Sequence, residues 1–247
     1  MIKLERSPKP KFLTSEKVKE LIEEFKKSGS SVWNADPIKK QLLTSSYGKC
    51  SYCECDLTEE SKYMEVEHFE DKKHNPDKVV EWENLLPSCK KCNGSKSTHN
   101  VISDPILNPY LQDPREHLAI RLFRMRGLTQ IGRDSIDVVG LNNQERLVLK
   151  RFEIGSQAAD SIEVAWERYR TFKSNERTQS KNRLISLLEG ILLECQPSAI
   201  YAATTATVVL TDSNFLALID TMKIDGLWSE DLEDLHTIAQ SLALRCA

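Results

Sequence analysis

The sequence has 247 residues, a formal net charge of −3 and 40% hydrophobic residues. This length allows one large domain or two smaller ones, and the apolar content is enough to bury a core, which excludes disordered and fibrous classes. The N-terminus has no apolar signal segment, and no stretch approaches about 18 uninterrupted apolar residues. We therefore expect neither secretion nor membrane insertion, and place the protein in a reducing cytoplasm.

The N-terminal part is predicted to hold an arm and two helices. Residues 1–13 are polar and basic with two prolines, which indicates an extended arm that lies across another surface. Helical spacing of apolar residues predicts a first helix that begins at Thr14 or Ser15 and ends at Gly29. Asp36, followed by proline, is predicted to cap a second helix that ends before the next glycine.

The rest of the chain outside the cysteine-rich stretch is predicted to be mainly helical. Residues 101–114 contain three prolines and predict an irregular linker. Residues 118–126 and 128–131, on either side of Gly127, predict a pair of short strands with a glycine turn. Beyond Asn142 the apolar pattern predicts helices to the end. These cover about 147–169 as one long or broken helix, then 178–195, 197–210, 213–223 and 229–245.

Five of the seven cysteines lie between positions 50 and 92. Cys50 and Cys53 form one CxxC pair, and Cys89 and Cys92 form another after 35 intervening residues. Two residues between thiolates let a tight turn present both sulfurs to one ion, and two such pairs complete a closed tetrahedral site. The sequence therefore predicts a structural zinc site that supports a short polar stretch.

Other interpretations of the cysteines are weaker. Ordinary buried thiols would not need this spacing, and a redox pair would need a βαβ pattern that neither CxxC pair has around it. Cys55 is close enough to be a spare ligand, but four ligands already close the site, so we interpret it as a bystander. Cys195 and Cys246 are interpreted as packing residues or free thiols.

Four kinds of side chain between and after the pairs suggest chemistry. Glu67 and His68 lie in a β-like run, Asn84 in a Trp-Glu-Asn-Leu-Leu-Pro stretch, and Asn93 and Lys96 follow the last pair. Imidazole can deprotonate water near neutral pH, whereas carboxylate and amide oxygens suit Mg²⁺. Taken singly, His68 is better explained as a partly buried histidine, Asn84 as a turn former and Asn93 as a helix cap. For Lys96 alone, a solvated helix lysine is an equally good explanation.

Together, the order CxxC, EH, WxNLLPxCxxCN and then lysine resembles HNH endonucleases of the ββα-metal type with zinc knuckles, over about residues 49–100. The resemblance implies that His68 is the general base and that Asn84 orients its loop. It also implies that Glu67 and Asn93 bind a catalytic Mg²⁺ or Mn²⁺, with glutamate in place of the common aspartate and asparagine in place of the common third histidine.

Strand geometry leaves the carboxylate ligand open. Neighbouring strand residues point to opposite faces, so Glu67 and His68 share one site only where the strand ends or twists. Glu65, on the same face as Glu67, is the alternative ligand. Lys96, one turn beyond Asn93, is predicted to neutralise a substrate phosphate.

A second resemblance extends over about residues 1–155. The stretches DPILNPYLQDPREHL and LNNQERLVLKR are similar to the HNH subunits, known as PtuB, of Septu-type and retron-associated anti-phage systems. In that family the segment VEHF is followed by a proline two positions after the phenylalanine. This chain has Asp71 at that position. The resemblance implies a toxic nuclease in the bacterial cytoplasm with a PtuA-like ATPase of the ABC/SMC type. A nucleic-acid substrate and, in retrons, a reverse transcriptase with its RNA–DNA product would be further partners.

These observations predict a mostly α protein with a small zinc-braced ββα-metal module. The expected domains are 1–48 for the arm and helices, 49–114 for the nuclease module, and 115–247 for a hairpin and a helical partner-binding region. The alternative is a catalytically inactive, zinc-stabilised adaptor that docks the ATPase. A zinc-dependent transcription factor is disfavoured because no strongly basic recognition helix is present.

Charge is unevenly distributed. Residues 115–133 carry five arginines and one acid, and we predict that Arg121, Arg124 and Arg126 bind substrate. Residues 197–247 carry seven acids and two bases, which suits a protein partner better than nucleic acid. Residues 56–83 carry ten acids and four bases, which favours a nuclease that works inside a complex.

Overall fold

The computed structural model describes residues 1–58 and 64–247, so part of the acidic run 56–83 lies outside the described residues. The chain packs as two units. The first unit comprises Met1–His117 and Gly127–Leu141, and the second comprises Leu118–Arg126 and Asn142–Ala247. The fold is mostly helical with small sheets, as expected. The three-domain division at 49 and 115 stays a prediction.

Two helices follow the arm in the first unit. Helix α1 spans Ser15–Ser28, and the Thr14 side chain caps it by accepting a hydrogen bond from the Lys17 amide. Gly29 ends α1 with a φ of 69°, the left-handed conformation that favours glycine. Helix α2 spans Asp36–Ser45. The prediction of Asp36 as its cap was wrong, because Asp36 is already helical and the extended residue before it makes no side-chain cap.

The cysteine-rich stretch forms two strands and a helix in the order β, β, α. Strand β1 spans Met64–His68 and pairs antiparallel with β2, Leu85–Cys89, with His68 opposite Leu85. Helix α3, Lys90–Lys96, follows β2 without a loop. Every residue of β2 is buried. Because α3 continues directly from β2 and β2 pairs with β1, the helix begins beside the small sheet that carries His68.

The N-terminal arm is extended, as predicted, and buries part of its length within the first unit. Met1, Ile2 and Leu4 are each at most 3% exposed, and the Leu4 amide donates to the Pro109 main-chain oxygen at 2.9 Å. The proline-rich linker has no regular structure until helix α4, Pro114–His117. A hydrophobic core of this unit combines α1, α2 and β1–β2 with the segments that precede α1 and α2 and the segment that precedes β2. Its buried members are Leu13, Leu21, Val32, Trp33, Ile38, Leu42, Val66, Val79, Val80, Trp82 and Leu85.

The predicted strand pair exists, but its turn was placed wrongly. Strand β3 spans Leu118–Arg121 and β4 spans Arg124–Gly127. The turn is therefore formed by the two residues between these strands, and the glycine belongs to β4. No strand covers 128–131, because the Thr129 side chain caps helix α5, Gln130–Val139, by accepting from the Gly132 amide. The apolar positions there mark the buried face of a helix.

The second unit contains five further helices and the C-terminal strand. Helix α6 follows a π-helical turn, Gln144–Val148. The helices are α6 Leu149–Asn175, α7 Thr178–Leu193, α8 Ala202–Thr211, α9 Ser213–Ile224 and α10 Glu230–Leu242. The last predicted helix ends early because β5, Arg245–Cys246, pairs parallel with β3. Across the residues described, no single helix has the length and apolar content of a membrane span, although α8 and α9 reach them as a pair bent by 69°.

Candidate metal and catalytic site

Four cysteines converge in the first unit. The sulfur atoms of Cys50, Cys53, Cys89 and Cys92 all lie within 4.8 Å of one another, and the Cys53 and Cys89 sulfurs are 3.8 Å apart. Four thiolates at about 2.3 Å from a zinc ion would be separated by about 3.8 Å along each edge of the tetrahedron. The donor set and its spacing therefore fit zinc, and Cys55 does not belong to this group.

Local backbone structure presents these sulfurs. The first pair lies in a tight turn in which the Glu54 amide donates to the Cys50 oxygen at 3.0 Å. The Ser51 amide donates to the Pro87 oxygen at 3.0 Å, which joins this turn to β2. Cys89 ends β2 and caps α3, because its sulfur accepts from the Cys92 amide at 3.4 Å. Zinc would thus tie the turn to the junction of β2 and α3.

His68 is the last residue of β1 and is buried against Trp33. The two rings meet edge to face with centroids 4.6 Å apart. The Nε2 atom lies 2.9 Å from the Val79 main-chain oxygen. Because a carbonyl oxygen can only accept, Nε2 carries the hydrogen and Nδ1 keeps its lone pair. Burial lowers the pKa of His68 to about 4, so the ring is neutral at pH 7 and can take up a proton.

Asn84 closes the loop that follows His68. Its Oδ1 accepts from the Glu70 amide at 2.7 Å, and its Nδ2 donates to the main-chain oxygens of Glu70 at 3.0 Å and Lys78 at 3.2 Å. Its own main-chain oxygen accepts from the Phe69 amide at 2.9 Å. All polar atoms of the buried amide are therefore used to hold the loop, and none is directed at the His68 ring.

Glu67 and Lys96 form a buried pair. The Glu67 side chain is 2% exposed and its Oε1 lies 2.6 Å from Nζ of Lys96, which is itself fully buried. The same ammonium group donates to the His68 main-chain oxygen at 2.8 Å. Burial raises the pKa of Glu67 to about 7, although Lys96 acts in the opposite direction. The structure places the Lys96 ammonium inside the protein, away from the surface where a phosphate would approach.

Asn93 lies at the other wall of the site. Its Nδ2 donates to Oε2 of Glu65 at 2.6 Å, which leaves its Oδ1 as a possible metal ligand. A cleft of about 200 Å³ is lined by Glu67, His68 and Asn93. Three of the predicted residues therefore meet at one cleft, and Glu65 is linked to them through Asn93. A larger cavity of about 420 Å³ lies between α6 and α7 of the second unit, without these residues.

Asp71 stands where the resemblance led us to expect a proline, and it shapes the loop after His68. Its Oδ1 accepts from the Lys73 amide at 3.0 Å, and its Oδ2 accepts from Nδ1 of His74 at 2.7 Å. Burial raises the pKa of Asp71, but the hydrogen bonds from His74 outweigh it and hold that pKa below its usual value. The side chain therefore supplies the tight turn that a proline would otherwise favour.

Sequence reasoning missed Arg6. Its guanidinium donates to the main-chain oxygens of Trp82 at 2.7 Å, Leu85 at 2.9 Å and Glu83 at 3.1 Å, and lies 4.0 Å from the centre of the Tyr110 ring. It thus holds the turn that carries the buried asparagine. The basic arm predicted a surface contact, but nothing in the sequence identified this turn as its target.

The three predicted substrate-binding arginines lie on the β3–β4 hairpin of the second unit. Arg121 and Arg126 are exposed and Arg124 is half-buried. Their role stays a prediction, as do the roles of His68, Asn84, Asn93 and Glu67 in catalysis.

Two relatives are similar to this chain. Septu protein PtuB of Bacillus thuringiensis is 40% identical over 242 residues, which covers 97% of this chain and 94% of that protein. Septu protein PtuB of Bacillus mycoides strain KBAB4 is 29% identical over 147 residues, covering 44% of this chain and 48% of that protein. No protein-family model matches the sequence. No solved structure shows a significant match.

Proposed function

The chain belongs to the Septu PtuB family, and from this premise we propose that it is a metal-dependent HNH endonuclease that acts in Septu anti-phage defence. The observation that carries the nuclease assignment is the cleft shared by Glu67, His68 and Asn93. A neutral imidazole with a fixed tautomer, a carboxylate and an amide at one cleft supply a base and oxygen ligands for a hard cation.

Each residue at the cleft has a separate role in the proposed hydrolysis of a phosphodiester bond. Nδ1 of His68 takes a proton from a water molecule whose oxygen attacks phosphorus, while the bond from phosphorus to the opposite oxygen breaks. The Nε2–H group remains bonded to the Val79 oxygen, which fixes the ring and stabilises its protonated form. Mg²⁺ or Mn²⁺, held by Asn93 and by Glu67 or Glu65, would stabilise charge on the leaving oxygen.

Two further residues keep this arrangement in place. Asn84 holds the loop beside His68 through three side-chain hydrogen bonds. Lys96 opposes the effect of burial on Glu67 and so favours the ionised carboxylate that a cation would need. We assign Lys96 this positioning role in place of the direct phosphate contact expected from the sequence.

The proposed partner is a PtuA-like ATPase of the ABC/SMC type. The sequence has no P-loop motif, so nucleotide-dependent control would come from that partner. The acidic run 56–83 repels phosphate, and basic surfaces on the partner would offset it. In a retron-associated system, a reverse transcriptase and its RNA–DNA product would join the same complex.

The test is cleavage by the full chain together with its ATPase. DNA and RNA substrates would be incubated with Mg²⁺ or Mn²⁺, and His68→Asn compared with His99→Asn. His99 is a suitable control because its Nε2 contacts the Asp104 oxygen, outside the cleft. We expect His68→Asn to lower the cleavage rate at least 100-fold, roughly the contribution of a general base, and His99→Asn to retain it. Equal cleavage by His68→Asn and the natural protein would exclude this mechanism.

The inactive adaptor is a second candidate because the prospective ligands already have protein partners. Glu67 is paired with Lys96 and Asn93 with Glu65. If the adaptor is correct, the complex with the ATPase will form normally, no substrate will be cleaved with either cation, and zinc will still be required for assembly.

A further inference from the structure

The β3–β4 hairpin turns on two residues in an unusual conformation. Leu122 has a φ of 47° and Phe123 a φ of 61°, so both adopt the left-handed region. Tight hairpin turns with this geometry usually use asparagine, aspartate or glycine, since larger side chains crowd the backbone there. Leucine and phenylalanine in sequence are therefore a strained choice, and such strain persists only where surrounding structure enforces it.

Packing contacts and hydrogen bonds within the second unit hold this turn in place. The Phe123 ring packs edge to face on Phe152, with centroids 5.5 Å apart, and lies so close to Gly155 that an added Cβ there would be 2.4 Å from the ring. The Asn142 side chain holds both backbone polar groups of Met125, with Oδ1 at 2.8 Å and Nδ2 at 2.9 Å. Because Phe123 is held against α6, its neighbour Leu122 projects outward and is 81% exposed.

Three arginines flank the projecting leucine in the sequence of the hairpin. Arg121 precedes it, Arg124 and Arg126 follow, and residues 118–127 contain no acid. Among residues 1–58 and 64–247, no ion pair engages any of these three guanidinium groups. A fixed apolar tip beside unpaired arginines matches a ligand that presents phosphates and flat apolar faces in alternation. An acidic protein would match the charge, but protein docking buries a broad apolar patch, whereas a single protruding side chain suits a wedge.

We propose that this hairpin tip binds nucleic acid, with the Leu122 side chain inserted against or between base faces and Arg121 and Arg124 on the flanking phosphates. The inference rests on the proposed nuclease function, since it names how substrate is gripped. The strained turn has a purpose in this arrangement, because it fixes the backbone of the tip before binding and keeps the Leu122 side chain exposed to solvent.

The test is binding by the full chain without added Mg²⁺ or Mn²⁺, so that it does not depend on cleavage. The probes are 2-aminopurine-labelled duplex DNA, single-stranded DNA and hairpin RNA, whose fluorescence rises when the labelled base is unstacked. The variant Leu122→Asn keeps the turn, because asparagine tolerates the left-handed conformation. Its matched control is Ile224→Asn, since Ile224 is 85% exposed at the end of α9.

We expect Leu122→Asn to weaken binding about tenfold, which corresponds to about 1.4 kcal/mol, and to abolish the fluorescence rise. Ile224→Asn should change neither the affinity nor the fluorescence. The melting temperature of Leu122→Asn should equal or exceed that of the natural protein, which separates lost binding from misfolding. Arg121→Gln should reduce the slope of log K against log salt by about 0.7 to 0.9. The probe with the largest loss identifies DNA or RNA as the ligand.

Unchanged nucleic-acid binding by Leu122→Asn would overturn the inference, and weakened binding to the ATPase in the same variant would identify the tip as a protein-docking site. The outcomes are distinguishable from failure of the nuclease proposal. If Leu122→Asn loses binding but His68→Asn still cleaves, the tip is a nucleic-acid contact and the catalytic assignment is wrong.

Discussion

The Lys96 ammonium group lies 2.6 Å from Oε1 of Glu67 and 2.8 Å from the main-chain oxygen of His68, with both side chains of the pair buried. One cation on α3 therefore fixes both the carboxylate and the backbone of the base at the end of β1. Taking two charges out of water is costly, and only good pairing compensates for it. The pair is thus a structural connection between the helix and the strand that carry the candidate site.

Removing one member of this pair should destabilise the first unit strongly. Lys96→Met removes the cation that opposes the rise in the pKa of Glu67, so the buried carboxyl takes up a proton and is left without its partner. We expect a loss of about 1 to 3 kcal/mol in the free energy of unfolding. The double variant Glu67→Gln/Lys96→Met removes both charges and should recover most of that loss. Lys91→Met, at an exposed position on the same helix, is the control and should change stability by less than about 0.5 kcal/mol. Urea denaturation measures all four proteins, and no recovery in the double variant would contradict the pairing.

Asn84 should tolerate no acceptor in place of its amide nitrogen. In Asn84→Asp, a carboxylate oxygen would face the Glu70 and Lys78 carbonyl oxygens, which now accept from Nδ2. We expect a loss of about 2 to 3 kcal/mol in unfolding free energy and faster amide exchange in the loop 69–78. Asn100→Asp is a matched control, because the Asn100 side chain only accepts hydrogen bonds, from the Ile102 and Ser103 amides. Equal stability of the two variants would show that the Asn84 donor is unimportant.

The sequence predicted what local rules determine. Spacing identified the four cysteines that meet in space, and capping residues placed α1 within one residue. It did not reveal the inward direction of Lys96 or the grip of Arg6 on the turn at Trp82–Asn84, because both depend on contacts between residues 28 or more positions apart. The local sequence pattern does not predict which buried group a long, flexible lysine or arginine side chain will contact.

The hairpin shows why turn rules failed at one place. Gly127 attracted the prediction of a turn because glycine is the usual residue with positive φ. The structure instead uses Leu122 and Phe123, and tertiary packing of the Phe123 ring beside Gly155 outweighs their local preference. Gly127 has a different purpose, since a Cβ there would lie 2.5 Å from the Arg133 backbone nitrogen.

Gly132 should be intolerant of any side chain. A Cβ at this position would lie 2.1 Å from the His117 main-chain oxygen, which cannot move aside as a side chain would. We expect Gly132→Ala to lower the free energy of unfolding by about 2 kcal/mol or more, despite the better helix propensity of alanine. Gly94→Ala in α3 is the opposite case, because no atom lies within 4 Å of its Cβ, and it should be neutral or stabilising. Thermal denaturation measures both variants. Equal changes in their melting temperatures would refute this packing argument.

The zinc assignment predicts a sharp division among the cysteines. Cys50→Ser or Cys92→Ser should lose the metal and much of the stability of the first unit, since a structural zinc site contributes directly to folding. Cys246→Ser, at an exposed position, should retain one zinc per chain, and so should Cys55→Ser, because Cys55 is not among the four converging sulfurs. Metal content by mass spectrometry and melting with and without chelator measure both effects. Loss of zinc in Cys55→Ser would assign that residue to the site.

Acid should destabilise the protein partly through His68. Burial lowers the pKa of this residue from 6.5 to about 4, so between these values the unfolded chain binds a proton that the folded protein excludes. The stabilising contribution is therefore complete above pH 6.5 and is lost as pH falls, by about 2 kcal/mol at pH 5. His68→Gln removes this effect, while the carboxylates and His236 titrate alike in both proteins. Urea denaturation at pH 7.5 and pH 5 gives the comparison, and an equal loss of stability in both proteins would mean that His68 is not buried in its neutral form.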